Sequence, residues 1–301
     1  MKKNATAMVL ASFIGDSLAL GAHWIYDTAQ IDREIGRVDR LLKPLPGSYH
    51  PRRDKGEFTH YGDQALVLLE SLGESKGFVL EGFGAAWRKL FADYDGYLDK
   101  ATKQTLENLT SNPSLTGCGS GSTDLSAAAR IAPLAYLFRD DQQQLVASAV
   151  AQARMTHNSP ASLAAAEFLA KLVFQVLHGV PLAEAVETTL DDGVNDLDLD
   201  LRLRASLDLV GQESRAAIAR LGQMCGAANA LPAVLHLVLT HENDLETALI
   251  ENVMAGGDSA ARGLAAGMIL GARLGPAAIP ARWLAELRQR EHIEQLLAQL
   301  P

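Results

Sequence analysis

The chain has 301 residues, of which 48% are hydrophobic and 21% charged, and its formal net charge is −9. Those proportions are globular and exclude a disordered or collagen-like polymer. The acidic balance, without a basic stripe, argues against a nucleic-acid partner and for a small-molecule or protein partner.

The first segment, MKKNATAMVLASFIGDSLALGA, joins two lysines to an apolar run and small residues, as a secretory signal does. Asp16 interrupts the run, and HWIYD follows without a clean cleavage point, so the segment is read as part of the folded chain. Residues 63–72 (DQALVLLESL), 124–138, 141–155, 161–178, 182–190, 227–240, 243–254, 258–274 and 281–299 follow as predicted helices. In 161–178, Leu163, Ala166, Leu169, Ala170, Val173 and Leu177 share one face behind Pro160. No segment alternates apolar and polar residues in the manner of a strand between turns. The expectation is one all-α domain over residues 1–301. No stretch reaches the roughly 20 uncharged apolar residues of a bilayer span, and no membrane association is expected. Cys118 and Cys225 form neither a disulfide framework nor a metal-spaced cluster, which fits a reduced, cytoplasmic setting. The C-terminal stripe of Trp283, Leu284, Leu287, Ile293, Leu296 and Leu297 is expected to pack inward, in a monomer or a homodimer.

The longest irregular stretches are 40–60 and 111–123, and long loops in compact domains are often functional. Polar groups concentrate in five places. Asp16 stands in an otherwise apolar helix, either anchoring a loop or serving as a site carboxylate. Glu57-Phe58-Thr59-His60-Tyr61-Gly62-Asp63 precedes an apolar helix, where Thr59 or Asp63 caps it or the group faces a cleft. Gly117–Asp124 (GCGSGSTD) is either a flexible loop or a backbone cradle for an anion; it lacks the lysine of a Walker loop. Gly256-Gly257-Asp258-Ser259 opens a helix of small residues whose Gly263, Gly267 and Gly271 suit close packing. His157, in THNSP, is structural or lines a site, whereas His178 and His236 read as helix or surface residues.

In order and spacing, GDSLALGAHW, GEFTHYGDQALVLLESL, ARIAPLA, THNSP and AGGDSAARGLAAGMILGA resemble the ADP-ribosylglycohydrolase family nearly end to end. That group includes dinitrogenase reductase-activating glycohydrolase and certain lens crystallins. The resemblance implies an all-helical fold with two Mg²⁺ or Mn²⁺ ions in a central cleft. It also implies hydrolysis of the glycosidic bond joining ADP-ribose to a side chain or small molecule. Where the family carries Thr-Asp-Asp-Thr, this chain has Thr59, His60, Tyr61 and Gly62. Where the family carries Gly-Gly-Asp-Thr-Asp-Thr, it has Gly256, Gly257, Asp258, Ser259, Ala260 and Ala261. Three metal carboxylates are thereby replaced, so a two-metal centre is not expected. At most one weakly held Mg²⁺, on Thr59, Asp258 and Ser259, is expected, and no other cofactor.

The resulting expectation is hydrolysis of an N- or O-glycosidic bond in a ribosyl or ADP-ribosyl compound, or in an ADP-ribosylated substrate, through an oxocarbenium-like transition state. Asp258 would stabilise that state or orient water, His60 or Asp63 would act as acid or base, and Asp16 would support the Asp258 loop. Glu57, Tyr61, Gly119, Gly121, Ser122 and His157 would contact the substrate. The alternative is a nucleotide- or metabolite-binding protein, or a structural one, that reuses the fold without catalysis.

Overall fold

Seventeen α-helices and one 3-10 turn follow one another without a strand, in a computed structural model that describes residues 1–301. Helix α1 (Lys2–Ala19) is buried over most of its length, and α2 (Thr28–Glu34) starts at the Asp27 cap. After the irregular stretch come α3 (His60–Ser75), α4 (Leu80–Ala92) and α5 (Lys100–Ser111). The glycine-rich loop leads to α6 (Ser126–Ala129) and α7 (Ala132–Leu137), then α8 (Gln142–Thr156) and α9 (Pro160–Leu177). Next are α10 (Leu182–Asp191), α11 (Leu197–Leu207), α12 (Ser214–Leu221) and α13 (Ala227–Thr240). The chain closes with α14 (Leu245–Met254), α15 (Ser259–Leu274), α16 (Ala281–Glu286) and α17 (Arg290–Gln299).

The antiparallel pair α1 and α15 lies at the centre. A Cβ at Gly263 would overlap the Gly15 carbonyl, one at Gly267 the Ala11 carbonyl, and one at Gly271 would come 2.7 Å from the Ala7 carbonyl. Only bare backbone permits so close an approach. The approach brings the last turn of α1, with Asp16, beside the first turn of α15, with Asp258. Around this pair one apolar core of 85 buried residues draws on both ends of the chain, with a satellite of four under α12 and α13. Helix α9 is apolar enough to match a membrane-spanning segment by length and mean hydropathy (1.4), but it packs within the bundle against α8, α10 and α15. The stripe from Trp283 to Leu297 turns inward, with Leu284 only half-buried.

Two predicted helices are broken. Residues 124–138 divide at Arg130–Ile131, because Pro133 lies in the first turn of α7 and cannot continue a preceding helix. Residues 281–299 divide at Leu287, which is extended, and Arg288 N–H bonds the Gly56 carbonyl (3.0 Å) in place of its own helix. Helix α11 is an unpredicted one. Its LDLDLRLR run alternates every second residue, yet Leu199 and Leu203 are buried four apart while Leu197 (74%) and Leu201 (58%) are left exposed. The i,i+4 pairs Asp198–Arg202 and Asp200–Arg204 suit a helix and not a strand.

Candidate active site

The site forms where the end of α1, the start of α3 and the start of α15 meet. Asp16, fully buried, accepts from Thr59 N–H (2.8 Å), Thr59 Oγ1 (2.6 Å) and Gly62 N–H (3.2 Å). It therefore caps α3 from another helix, satisfying amides that would otherwise be orphaned at the helix start. A side chain at position 62 would collide with it, since a Cβ there would lie 2.5 Å from Asp16 Oδ2. Burial pushes the Asp16 carboxyl up to about 7, against the pull of the Thr59 hydrogen bonds.

The Thr59 cap aims the next residues inward. Tyr61 donates its hydroxyl to Asp258 Oδ2 (3.1 Å), joining α3 to the first turn of α15. Asp258 Oδ1 accepts from Ala261 N–H (3.3 Å), so the carboxylate caps α15 at its positive end. The left-handed glycines Gly256 (φ 70°) and Gly257 (φ 69°) make the preceding turn. Trp24 N–H bonds the Gly257 carbonyl (2.9 Å), Gly257 N–H the Ile25 carbonyl (2.8 Å), and Asp258 N–H the Gln223 carbonyl (3.0 Å). The Arg262 guanidinium, fully buried, holds Asn252 and the Gly256 carbonyl from below. Burial pushes the Asp258 carboxyl above the usual carboxylate range, with Arg262 opposing.

Imidazoles crowd the other side. His23 Nδ1 lies 3.9 Å from Asp258 Oδ1, and neither of its ring nitrogens has a hydrogen-bond partner. Burial, with His50 and His60 nearby, holds His23 neutral, well below the ordinary histidine value. His60 Nδ1 is 3.2 Å from His50 Nε2, and His60 Nε2 is 3.1 Å from Asp99 Oδ2. Burial raises the proton affinity of Asp99, but His60 outweighs it and holds this carboxyl below its ordinary value. The Tyr61 hydroxyl lies within the field of three carboxylates, Asp258, Asp124 and Asp99. Asp124 is paired with His157 Nε2 (2.8 Å) and accepts from Ser122 Oγ (2.7 Å) and Ser126 Oγ, which keep it ionised in spite of burial.

Three rings cover this polar centre. Trp24, Tyr49 and Tyr97 meet edge to face, with centroids 4.9–5.4 Å apart and interplanar angles of 78–87°. With Tyr26 and Cys225 they line a shallow recess of about 200 Å³. Beneath it His60, Tyr61 and Asp258 are at most 2% exposed.

The ADP-ribosylglycohydrolase family model matches residues 1–301. The chain belongs to the ADP-ribosylglycohydrolase family. Similar proteins include crystallin J1A of Tripedalia cystophora, 27% identical over 99% of this chain and 96% of that protein. The ADP-ribosyl-dinitrogen reductase glycohydrolase of Rhodospirillum rubrum is also 27% identical, over 96% of this chain and 95% of its own length. Among solved structures, an ADP-ribosylglycohydrolase-related protein complex shares the fold, with a TM-score of 0.82 at 24% identity over 99% of this chain and 96% of that one.

Within this ADP-ribosylglycohydrolase-like cleft, the residues at the metal-motif positions do not fit a divalent ion. Thr59 Oγ1 donates to Asp16 and accepts from Tyr61 N–H (3.1 Å). Asp258 is engaged by Tyr61 and Ala261, and Ser259 Oγ, buried without a partner, is the one uncommitted candidate ligand. No three carboxylate, imidazole or thiolate groups converge, and the one carboxylate at the motif positions, Asp258, is already engaged.

Of the residues singled out in the sequence, His60, Tyr61 and Asp258 come together, and Asp16 and Thr59 lie directly behind them. Four expectations need correction. Asp16 supports the start of α3, while the Asp258 loop is held by residues 24–25, Gln223 and Arg262. Asp63 makes no hydrogen bond to Tyr61 or Asp258 and is engaged instead by Arg53 Nη2 (2.8 Å) and Tyr94 Oη (2.6 Å). Glu57 is tied to Arg288 (2.9 Å) and to Asp54 N–H (2.8 Å) on the outer side. In the glycine loop, a Cβ at Gly119 would strike the Arg154 carbonyl, so this glycine serves packing; Gly121 faces open space. Ser122 and His157 are engaged with Asp124. Sequence reading passed over His50, Asp99, Tyr49 and Tyr97, which lie on irregular segments. It also passed over Arg262, which a lone arginine among glycines and alanines could have signalled.

Proposed function

We propose that the protein hydrolyses the glycosidic bond of a ribosyl or ADP-ribosyl compound, using acid–base groups of the chain where relatives of the same family carry metal motifs. The observation that carries this reading is a pair of carboxyl groups driven in opposite directions. Asp258 is biased toward its protonated form and Asp99 toward its ionised form, joined through Tyr61 and His60, whose ring centroids are 4.0 Å apart. Such a split is how a site provides an acid and a base at one pH.

In this reading Asp258 gives its proton to the leaving group as the bond to the anomeric carbon breaks and the electron pair departs with that group. Water adds to the oxocarbenium-like carbon and loses its proton to the ionised Asp99 carboxylate, which His60 orients through Nε2 (3.1 Å). Return of that proton to Asp258 restores the resting state. Trp24, Tyr49 and Tyr97 close the centre in this conformation, so substrate access requires these rings to swing aside. The same closure, together with 27% identity to a crystallin, favours as a second reading a fold kept for a non-catalytic role.

The test is hydrolysis of an ADP-ribosyl glycoside, with calorimetric binding of ADP-ribose, in chelator and in excess Mg²⁺. Turnover equal in both buffers, and reduced about 100-fold or more by Asp258→Asn, is the expected result. Turnover found only with Mg²⁺ refutes the metal-free reading. Saturable binding without product, unaltered by any buffer, establishes the second.

A further inference from the structure

Beside the aromatic collar, and sharing Tyr49 and Tyr97 with it, opens a second cavity of about 450 Å³. Its wall carries Arg52, Arg53 and Lys103 against one carboxylate, Asp95. Arg53 is engaged, its Nη2 on Asp63 (2.8 Å) and its Nη1 on Asp95 (3.3 Å). Arg52 and Lys103 are exposed, and neither side chain makes an ion pair or hydrogen bond. Two free cations facing one cavity stand out in a chain of net charge −9. The same wall holds two buried nitrogens without partners, His50 Nδ1 and Arg53 Nε. An oxyanion offers acceptors for both kinds of group.

The geometry points to a phosphoryl-binding subsite at Arg52 and Lys103, taking the phosphate end of a sugar phosphate or nucleotide whose sugar lies under the Tyr49–Tyr97 collar. This deepens the proposed glycoside chemistry and rests on it for the direction of the ligand. Arginine and lysine are the side chains suited to this anion, Arg52 through its planar fork and Lys103 as a point charge. Tyrosine faces suit the ring that precedes the phosphate. The site lies apart from the glycine loop, where Gly119 is occupied by packing and Ser122 by Asp124.

The experiment is titration calorimetry of the full chain with ribose 5-phosphate, with ribose and with pyrophosphate, at low and high salt. Wild type is expected to bind ribose 5-phosphate at least about tenfold more tightly than ribose, with the difference shrinking in high salt. Arg52→Ala/Lys103→Ala, two changes at exposed positions, is expected to abolish that preference. It should leave turnover of an uncharged aryl riboside intact. Competition by pyrophosphate would show that the anion suffices; its absence, with the preference intact, would show that the sugar is read as well. The proposal is overturned if wild type shows no phosphate preference, or if the double variant keeps it. Asp258→Asn separates the two proposals: it should remove turnover and retain the phosphate preference.

Discussion

Replacing Asp16 by leucine removes one acceptor from three donors while keeping the volume of the side chain. The Thr59 hydroxyl can rotate to another partner, but the Thr59 and Gly62 amides cannot. Each buried donor left unpaired costs about 1–3 kcal/mol, so these two amides set a penalty of about 2–6 kcal/mol. The wild-type carboxyl carries its own cost. Burial raises it from an ordinary value near 3.8 to about 7, so holding it ionised above that pH costs about 4 kcal/mol, which leucine avoids. The sign follows by linkage. A carboxyl with a raised folded value binds its proton more tightly when folded, so its contribution is fully present below about pH 4 and is lost as pH rises through about 7. In the neutral form the carbonyl oxygen still takes the Thr59 amide, and the acid proton can pass to Thr59 Oγ1. The deficit of Asp16→Leu should therefore be greatest at about pH 4 and below, at about 2–6 kcal/mol, fall by about 1.6 kcal/mol by pH 5, and shrink further toward pH 8. Urea unfolding followed by far-ultraviolet circular dichroism at several pH values measures it. A deficit below about 1 kcal/mol at pH 4, or one that grows with pH, would refute the reasoning.

His50 titrates in the opposite sense: burial lowers it to about 3, so the stability of its neutral ring is present above about pH 6.5 and is lost as pH falls toward 3. At about pH 5 that loss is about 2 kcal/mol, and His50→Phe should flatten the acid limb of a melting-temperature profile by a corresponding amount; an unchanged limb would place His50 in water. Gly267→Ala drives a Cβ into the Ala11 carbonyl and should destabilise the chain by about 1–3 kcal/mol in chemical denaturation, with neutrality refuting the close packing of α1 on α15. Tyr61→Phe leaves Asp258 without its hydroxyl donor and should lower kcat more than KM, whereas a pure rise in KM would assign Tyr61 to substrate binding alone.

Much of this molecule was legible before any coordinates. Alanine- and leucine-rich periodicity identifies the long helices, because a core-facing helix repeats its apolar residues on a fixed angle wherever it packs. The glycines of α15 and the cap residues Thr59 and Asp258 were legible for a similar reason, since backbone approach and orphaned amides restrict the residue types that fit. Neither helix break was read from the sequence, although Pro133 offered a local signal for the first. Leu287 breaks one because Arg288 finds a backbone partner at Gly56, which no local signal announces. The site divides along the same line. The resemblance in order and spacing put Asp258, His60, Asp63 and Asp16 in one group with Tyr61 among the substrate contacts, but the direction of each side chain is a tertiary matter. Asp63, one helical turn on from His60, lies on the same side of α3, yet Arg53 and Tyr94 from neighbouring loops take up its carboxylate. His50, Asp99, Tyr49 and Tyr97 come from loops whose paths are set by what they pack against. A cap supplied by Asp16 to a helix that begins more than forty residues later exists only once α1 and α3 meet, because a carboxylate's partner is chosen by distance in space and not by separation along the chain.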